Sequence, residues 1–181
     1  MAILGIDSFK AKLRDGGARA NLFECVITAP PILGGGQIDP ETTSFMIRAA
    51  SHPGSTLGLI EVPFRGRKLK LAGDRSFETW SITVLNDTNM PIRNFFENWI
   101  AGISANQVNI GATNPSDYMA DMWVYQLNRD GQRTKTYRLV DCWPKSISNI
   151  ELNAETTDTI QTFTVEMEYQ YWVPDLAGQY E

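Results

Sequence analysis

The chain has 181 residues, 43% of them hydrophobic and 20% charged, values of an ordinary globular chain long enough for one domain with a real core and short for two. Sixteen basic residues against twenty-one acidic give a net charge of −5. That balance argues against attraction to nucleic acid, because a phosphate-gripping surface is basic and gains its affinity from counterion release. No apolar run approaches the roughly 18 residues of a membrane helix, and the start MAILGIDSFKAK is too briefly apolar for a secretory signal, so synthesis in the cytosol is expected.

In chain order, residues 1–19 set Phe9 four residues before Leu13 and then run into Asp15-Gly16-Gly17, which predicts a short helical or irregular arm ended by glycine. Ala20 to Thr28 alternates Phe23, Cys25 and Ile27 against Leu22, Glu24 and Val26, a first strand. Pro30-Pro31 ends it, and the Pro/Gly-rich stretch 30–41 reads as a flexible loop. Ser44 to Ser51 predicts a second strand, with Phe45, Ile47 and Ala49 on one face. His52, the single histidine, stands in a proline turn and reads as structural or solvated. Leu57 to Phe64 is extended, and Pro63, lacking an N–H, puts it at an edge or bulge.

The stretch Phe64 to Asp87 reads as one antiparallel pair. Leu69 and Leu71 alternate with Lys68 and Lys70, and Trp80, Ile82 and Val84 alternate with Thr79, Ser81 and Thr83, with Ala72-Gly73-Asp74-Arg75 expected as the turn between the arms. Asn89 to Gly102 predicts a helix whose Ile92, Phe95, Phe96, Trp99 and Ile103 form one apolar stripe, suited to packing on a sheet. After a polar loop from Ser104 to Asp117, Met119 to Leu127 and Arg133 to Trp143 make a hairpin about Asp130-Gly131, with Trp123, Tyr125 and Leu127 on one face of the first arm. Ser146 to Leu152 predicts a short strand and Ile160 to Val173 a long last one. In that last strand Phe163, Val165, Met167, Tyr169 and Tyr171 oppose Thr162, Thr164, Glu166, Glu168 and Gln170. Cys25 and Cys142 both fall in predicted strands, where a thiol behaves as a small buried hydrophobe; a disulfide between them is the alternative.

Several of these motifs together resemble the tail tube proteins of T-even-type contractile-tailed bacteriophages. They are the basic strand with Lys68 and Lys70, Ala72 to Arg75, then Phe77, Glu78 and Trp80, Asn86-Asp87, and Phe96 with Trp99 in the helix. The resemblance extends to Asn21-Leu22-Phe23, Trp143-Pro144, Ile160 to Phe163 and Tyr171-Trp172. It departs at 30–40, 104–117 and the tail after Trp172, all longer than the family's usual form. It implies subunits that close six-fold rings, their strands joined into one large barrel around a channel, with rings stacked into a tube inside a contractile sheath. Tape-measure protein and transiting DNA would occupy the channel, and baseplate and tail terminator the ends. The location would be the virion tail, assembled in the host cytoplasm.

The expected fold is mainly β, one domain over 1–181 built as an antiparallel barrel or sandwich with one packed helix at about 89–103. An N-terminal arm 1–19, a loop 30–41 and a tail 174–181 complete it. No catalytic constellation, cofactor motif or metal-ligand spacing is present in the sequence, which points to a structural assembly protein. A second class is a monomeric small-ligand barrel with a pocket lined by Trp80, Trp123 and Tyr137, and a third a baseplate or tail-terminator relative that caps a tube. Candidate intersubunit contacts are Arg65, Arg67, Lys68, Lys70, Asp74 and Arg75, because the basic arm shows no acidic partner within its own strand pair; Glu166 and Glu168 of a neighbour would face it. Those two carboxylates, with Asp121 and Asp141, are also the candidates for lining a channel that does not grip DNA.

Overall fold

The computed structural model describes residues 5–13, 16–34, 38–108 and 110–174. In chain order its elements begin with α1 (Ile6–Lys12), β1 (Phe23–Ile27), a 3-10 turn (Pro31–Leu33), α2 (Pro40–Met46), β2 (Ile47–Ala50), β3 (Ser55–Phe64), β4 (Arg67–Phe77) and β5 (Trp80–Leu85). They continue with α3 (Pro91–Ile103), α4 (Pro115–Tyr118), β6 (Ala120–Leu127), β7 (Arg133–Ile147), β8 (Thr162–Glu168) and β9 (Tyr171–Pro174).

The strands form one antiparallel sheet in the order β1-β6-β7-β8-β5-β2, and a separate ribbon, β3-β4. β8 and β9 are the expected last strand, interrupted at Tyr169-Gln170. Both pair the same edge of β7, Trp143 opposite Glu168 and Val140 opposite Tyr171, and the Gln170 N–H bridges the break by donating to the Val140 carbonyl at 3.0 Å. β7 is therefore the spine of the sheet, flanked by β6 on one side and by β8 and β9 on the other.

One sheet face is apolar and faces a single core. Cys25 and Ile27 of β1, Ile82 and Val84 of β5, Met122 and Val124 of β6, Leu139 and Cys142 of β7, and Phe163, Val165 and Met167 of β8 are all buried there. The predicted stripe of α3 is placed as expected: Ile92, Phe95, Phe96 and Trp99 are buried, Phe95 meets Trp99 edge-on at 5.6 Å, and the Trp99 indole donates to the Tyr118 carbonyl at 2.7 Å. Fully burying side chains of this size stabilises by about 1.5–3 kcal/mol each, so the helix is held by its packing rather than by propensity.

Several expectations are corrected. The Phe64–Asp87 stretch is not one strand pair: β4 pairs with β3, and β5 pairs with β2 and β8. The ribbon turns at Arg65-Gly66, both at positive φ (45° and 84°), the backbone of a tight two-residue hairpin turn. Ala72 to Arg75 lies within β4 instead, at a register shift, where a Cβ on Gly73 would sit 3.1 Å from the Gly58 carbonyl carbon; two glycines let the strands approach there. The predicted strand Ser44–Ser51 survives only as β2, because Asp39 and Pro40 start a helix first. The Asp39 carboxylate caps it, accepting from the N–H groups of Glu41 and Thr42.

The predicted strand Ser146–Leu152 contributes only its first residues, as the end of β7. Trp123, Tyr125 and Leu127 lie on the face opposite the core, which Met122 and Val124 occupy. Trp143 faces away from the core as well, because a bulge at Asp141 (φ 56°) flips the alternation of β7, so that Leu139, Cys142 and Pro144 point inward. Cys25 and Cys142 are both free thiols, which removes the disulfide alternative. Of the loop 30–41, residues 35–37 lie outside the described residues, as do residues 1–4, 14 and 15 of the arm and 175–181 of the tail.

Candidate assembly surfaces

The ribbon β3-β4 carries the intersubunit candidates. Every residue of β3 is exposed, and β4 is exposed except for half-buried Gly73 and Phe77. Ile60 lies opposite Leu71, Val62 opposite Leu69 and Phe64 opposite Arg67, so one face of the ribbon is an apolar row. Those five apolar residues are 42–65% exposed. The other face sets Glu61 opposite Lys70 and Pro63 opposite Lys68. A two-stranded hairpin is marginal on its own in water. Covering such side chains would stabilise by roughly 1 kcal/mol apiece.

The structure divides the six candidates. Arg65, Arg67, Lys68 and Lys70 gather at the ribbon tip, whereas Asp74 and Arg75 sit nearer the root, with Arg75 opposite Leu57. The basic arm also has the acidic partner that the sequence reading denied it: Lys Nζ of residue 68 meets Glu61 at 2.5 Å within the ribbon. Glu61 was missed because the true pairing strand, β3, was not recognised as the partner of β4. The root is clamped by two indoles, Trp80 donating to the Ser51 carbonyl at 2.8 Å and Trp172 to the Gly54 carbonyl at 3.2 Å. His52, between them, is structural as expected. Gln126 spends its amide N–H groups on the Arg19 and Leu22 carbonyls, so its oxygen faces His52 Nε2 at 3.2 Å and makes that nitrogen the donor; the ring also packs on Tyr137 at 5.1 Å.

The second surface is the sheet face turned away from the core, which carries the four channel candidates in local networks. Asp121 accepts from Arg138 Nε at 2.9 Å with one oxygen and from the Asp141 backbone N–H at 3.1 Å with the other, which fastens the β7 bulge. Glu168 accepts from Lys145 at 2.7 Å and Thr79 at 2.8 Å, and Glu166 accepts from the Ser146 hydroxyl at 2.9 Å. The Lys145 hydrogen bond, helped by Thr79 and opposed by burial, holds the Glu168 carboxyl below the usual carboxylate range, and the same bond raises Lys145. At the far end of this face Arg133 reaches Glu24 at 3.0 Å and stacks on Tyr125 at 3.7 Å. The cations Arg133, Arg138 and Lys145 were missed as members of this surface. Their cross-strand register with Glu24, Asp121 and Glu168 is a tertiary fact that strand periodicity does not carry.

The pocket of the ligand-binding alternative does not form. Trp80 is in the core, 1% exposed, while Trp123 is on the opposite face of the sheet, so the two cannot line one cavity with Tyr137.

A family model described as "Phage tail tube protein" matches residues 18–175. The tail tube protein gp19 of Enterobacteria phage T4 is 33% identical over 157 residues, which cover 86% of this chain and 90% of that protein. The tail tube protein of Serratia phage KSP90 is 34% identical over 123 residues, 68% of this chain and 70% of that one. Among solved structures, a chain of the anti-feeding prophage baseplate shares the fold with a TM-score of 0.64 at 15% identity, over 87% of this chain and 94% of its own. A chain of an extracellular contractile injection system's sheath–tube complex in the extended state does so with a TM-score of 0.60 at 15% identity, over 91% and 95%. The residues matched by the family model span the sheet, α3 and the exposed ribbon alike, and the chain belongs to the phage tail tube protein family.

Proposed function

We propose that this chain, acting as one unit over 1–181, closes six-fold rings that stack into the tube of a contractile phage tail and conduct the genome through it. The observation that carries the reading is the combination of an uncovered apolar ribbon with a sheet whose strands β1, β2 and β9 are each paired on one side only among the described residues. Unpaired edges are templates for a further strand. Joining β1 of one subunit to the β2 side of the next extends the sheet around a ring, and a head-to-tail contact between rings does not close and makes a filament. A sheath would surround the tube, tape-measure protein and DNA would pass inside it, and baseplate and terminator would bound its ends.

In this reading the sheet face with Asp121, Asp141, Glu166 and Glu168 lines the channel. Six copies at −5 each carry about −30 per ring. More to the point, Arg133, Arg138 and Lys145 on that face are each committed to a carboxylate. Phosphates sliding past would find few uncompensated cations, and without counterion release there is little to hold them. Purified protein imaged by negative stain and sized by chromatography tests the reading: rings or rods are expected, and a stable monomer of 20.3 kDa would overturn it.

A further inference from the structure

Resting on the tube reading, the surfaces also point to how one ring grips the next: we propose that the ribbon tip of one copy seats in the acidic depression formed by residues 150–162 of a second copy, stacked along the strand direction.

Charge is the first argument. The ribbon, Ser55 to Phe77, holds Arg65, Arg67, Lys68, Lys70 and Arg75 against Glu61 and Asp74, a net +3, which leaves −5 − 3 = −8 on the rest of the chain. The tip concentrates this charge around an apolar knob, Phe64, which is 65% exposed and has the Arg65 guanidinium 5.4 Å from its ring.

The depression is its counterpart. Between Ser148 and Gln161 the chain has Glu151, Glu155 and Asp158 and no lysine or arginine. These carboxylates are exposed and have no ion-pair partner among the described residues. The hollow has a volume of about 640 Å³, and Ile150, Leu152 and Ile160 contribute to its lining. Leu152 and Ile160 are 79% and 66% exposed, so the hollow presents apolar side chains beside the carboxylate of Glu151, which also lines it. It is a fixed receptacle at both ends: Arg93 donates to the Ser148 carbonyl at 3.1 Å, and Asn86 donates its backbone N–H to the Gln161 carbonyl at 2.9 Å.

Topology supplies the third argument, since the ribbon's root and the receptacle lie at opposite ends of β5. The ribbon leaves the sheet where Trp80 pairs Met167, and the receptacle begins where Leu85 pairs Thr162, five residues further along, or about 17 Å along the strand. Among the described residues no hydrogen bond or ion pair joins the ribbon to the receptacle of its own chain. A translated copy brings them together with opposite charge and matching apolar surface, and the same contact repeats from copy to copy without closing.

Cross-linking and charge reversal test this on the full chain. With Phe64→Cys and Leu152→Cys combined, a short bis-maleimide should give a ladder of covalent multimers in assembled rods, and neither single variant should. The two native thiols are fully buried and stay silent. Reversing Glu151, Glu155 and Asp158 to Lys should cut rod mass by about tenfold or more at fixed protein concentration while leaving single rings. Adding Arg65→Glu, Arg67→Glu and Lys68→Glu to that variant should restore rods. Rods that form normally but give no ladder, or that ignore the triple reversal, overturn the seating and leave the tube reading intact. A wild-type chain that never forms rings or rods overturns the tube reading, and the seating with it.

Discussion

At the residue scale, Asp121 shows what an apparently solvated strand carboxylate does. Both of its oxygens are used, one on Arg138 and the other on the N–H of the positive-φ residue Asp141, so the bulge that reverses the facing of β7 depends on it. Asp121→Ala should cost about 1–3 kcal/mol, the range for leaving charged and backbone partners unsatisfied, read as a lower urea midpoint with an unchanged slope. Glu168 and Lys145 make a pH prediction. Because the Glu168 carboxyl is depressed in the folded state, its contribution is complete above the ordinary carboxylate range and is lost as pH falls through its lowered folded value. Lys145 is raised, so its contribution is present below the ordinary lysine range and lost as pH rises through its higher folded value. Lys145→Met should therefore flatten the acid limb of the stability curve slightly, by no more than an exposed pair supplies; an acid limb as steep as wild type would count against the pairing. Burial pushes the Cys25 thiol up to about 12 and raises Cys142 too, so a thiol reagent at pH 8 should label neither until the protein is unfolded.

At the scale of elements, the body and the ribbon are held by different physics. α3 and the sheet share one core, and truncating Trp99 or Phe96 to Ala should cost about 3–5 kcal/mol of folding stability, since both are fully buried. The ribbon has no such anchor beyond its root. Replacing residues 56–76 with a short Gly/Ser linker should leave the thermal transition of the body nearly unchanged and abolish rods, and a large fall in melting temperature would show that the ribbon stabilises the body. Gly66 (φ 84°) and Gly73 are the ribbon's points of conformational need. Gly73→Val would drive two methyls into the Gly58 backbone and Ile60, distorting the strand crossing with little effect on the core.

For the whole molecule, the feature that matters is the separation of a basic, apolar arm from an acidic body, with β1, β2 and β9 each paired on one side only among the described residues. Surface attraction of this kind is screened over about 8–10 Å at ordinary ionic strength, so raising salt should lengthen the lag before rods appear while the apolar part of each contact persists. Assembled tubes should not retard duplex DNA at physiological salt, and strong retardation would defeat the proposal that the ion-paired sheet face lines the channel.

Much of this was determined by the order of residues alone. The α3 stripe, the hairpin of β6 and β7, the alternation of the last strand as far as Tyr169 and the family motifs were legible, because helical and strand periodicities are local and each records a single buried face; beyond the break at Gln170 the facing reverses, Tyr171 being exposed and Trp172 packed on the core. Pairing partners were not. The residues from Lys68 to Val84 carry strand alternation in both β4 and β5, but only register between strands distant in sequence decides that one pairs β3 outside the core and the other pairs β2 and β8 within it. The same holds for the charges. A carboxylate on a strand reads as free until the cation across from it is known, and Arg138 opposite Trp123 or Lys145 beside Glu168 is set by a bulge and a cross-strand shift that no single segment encodes.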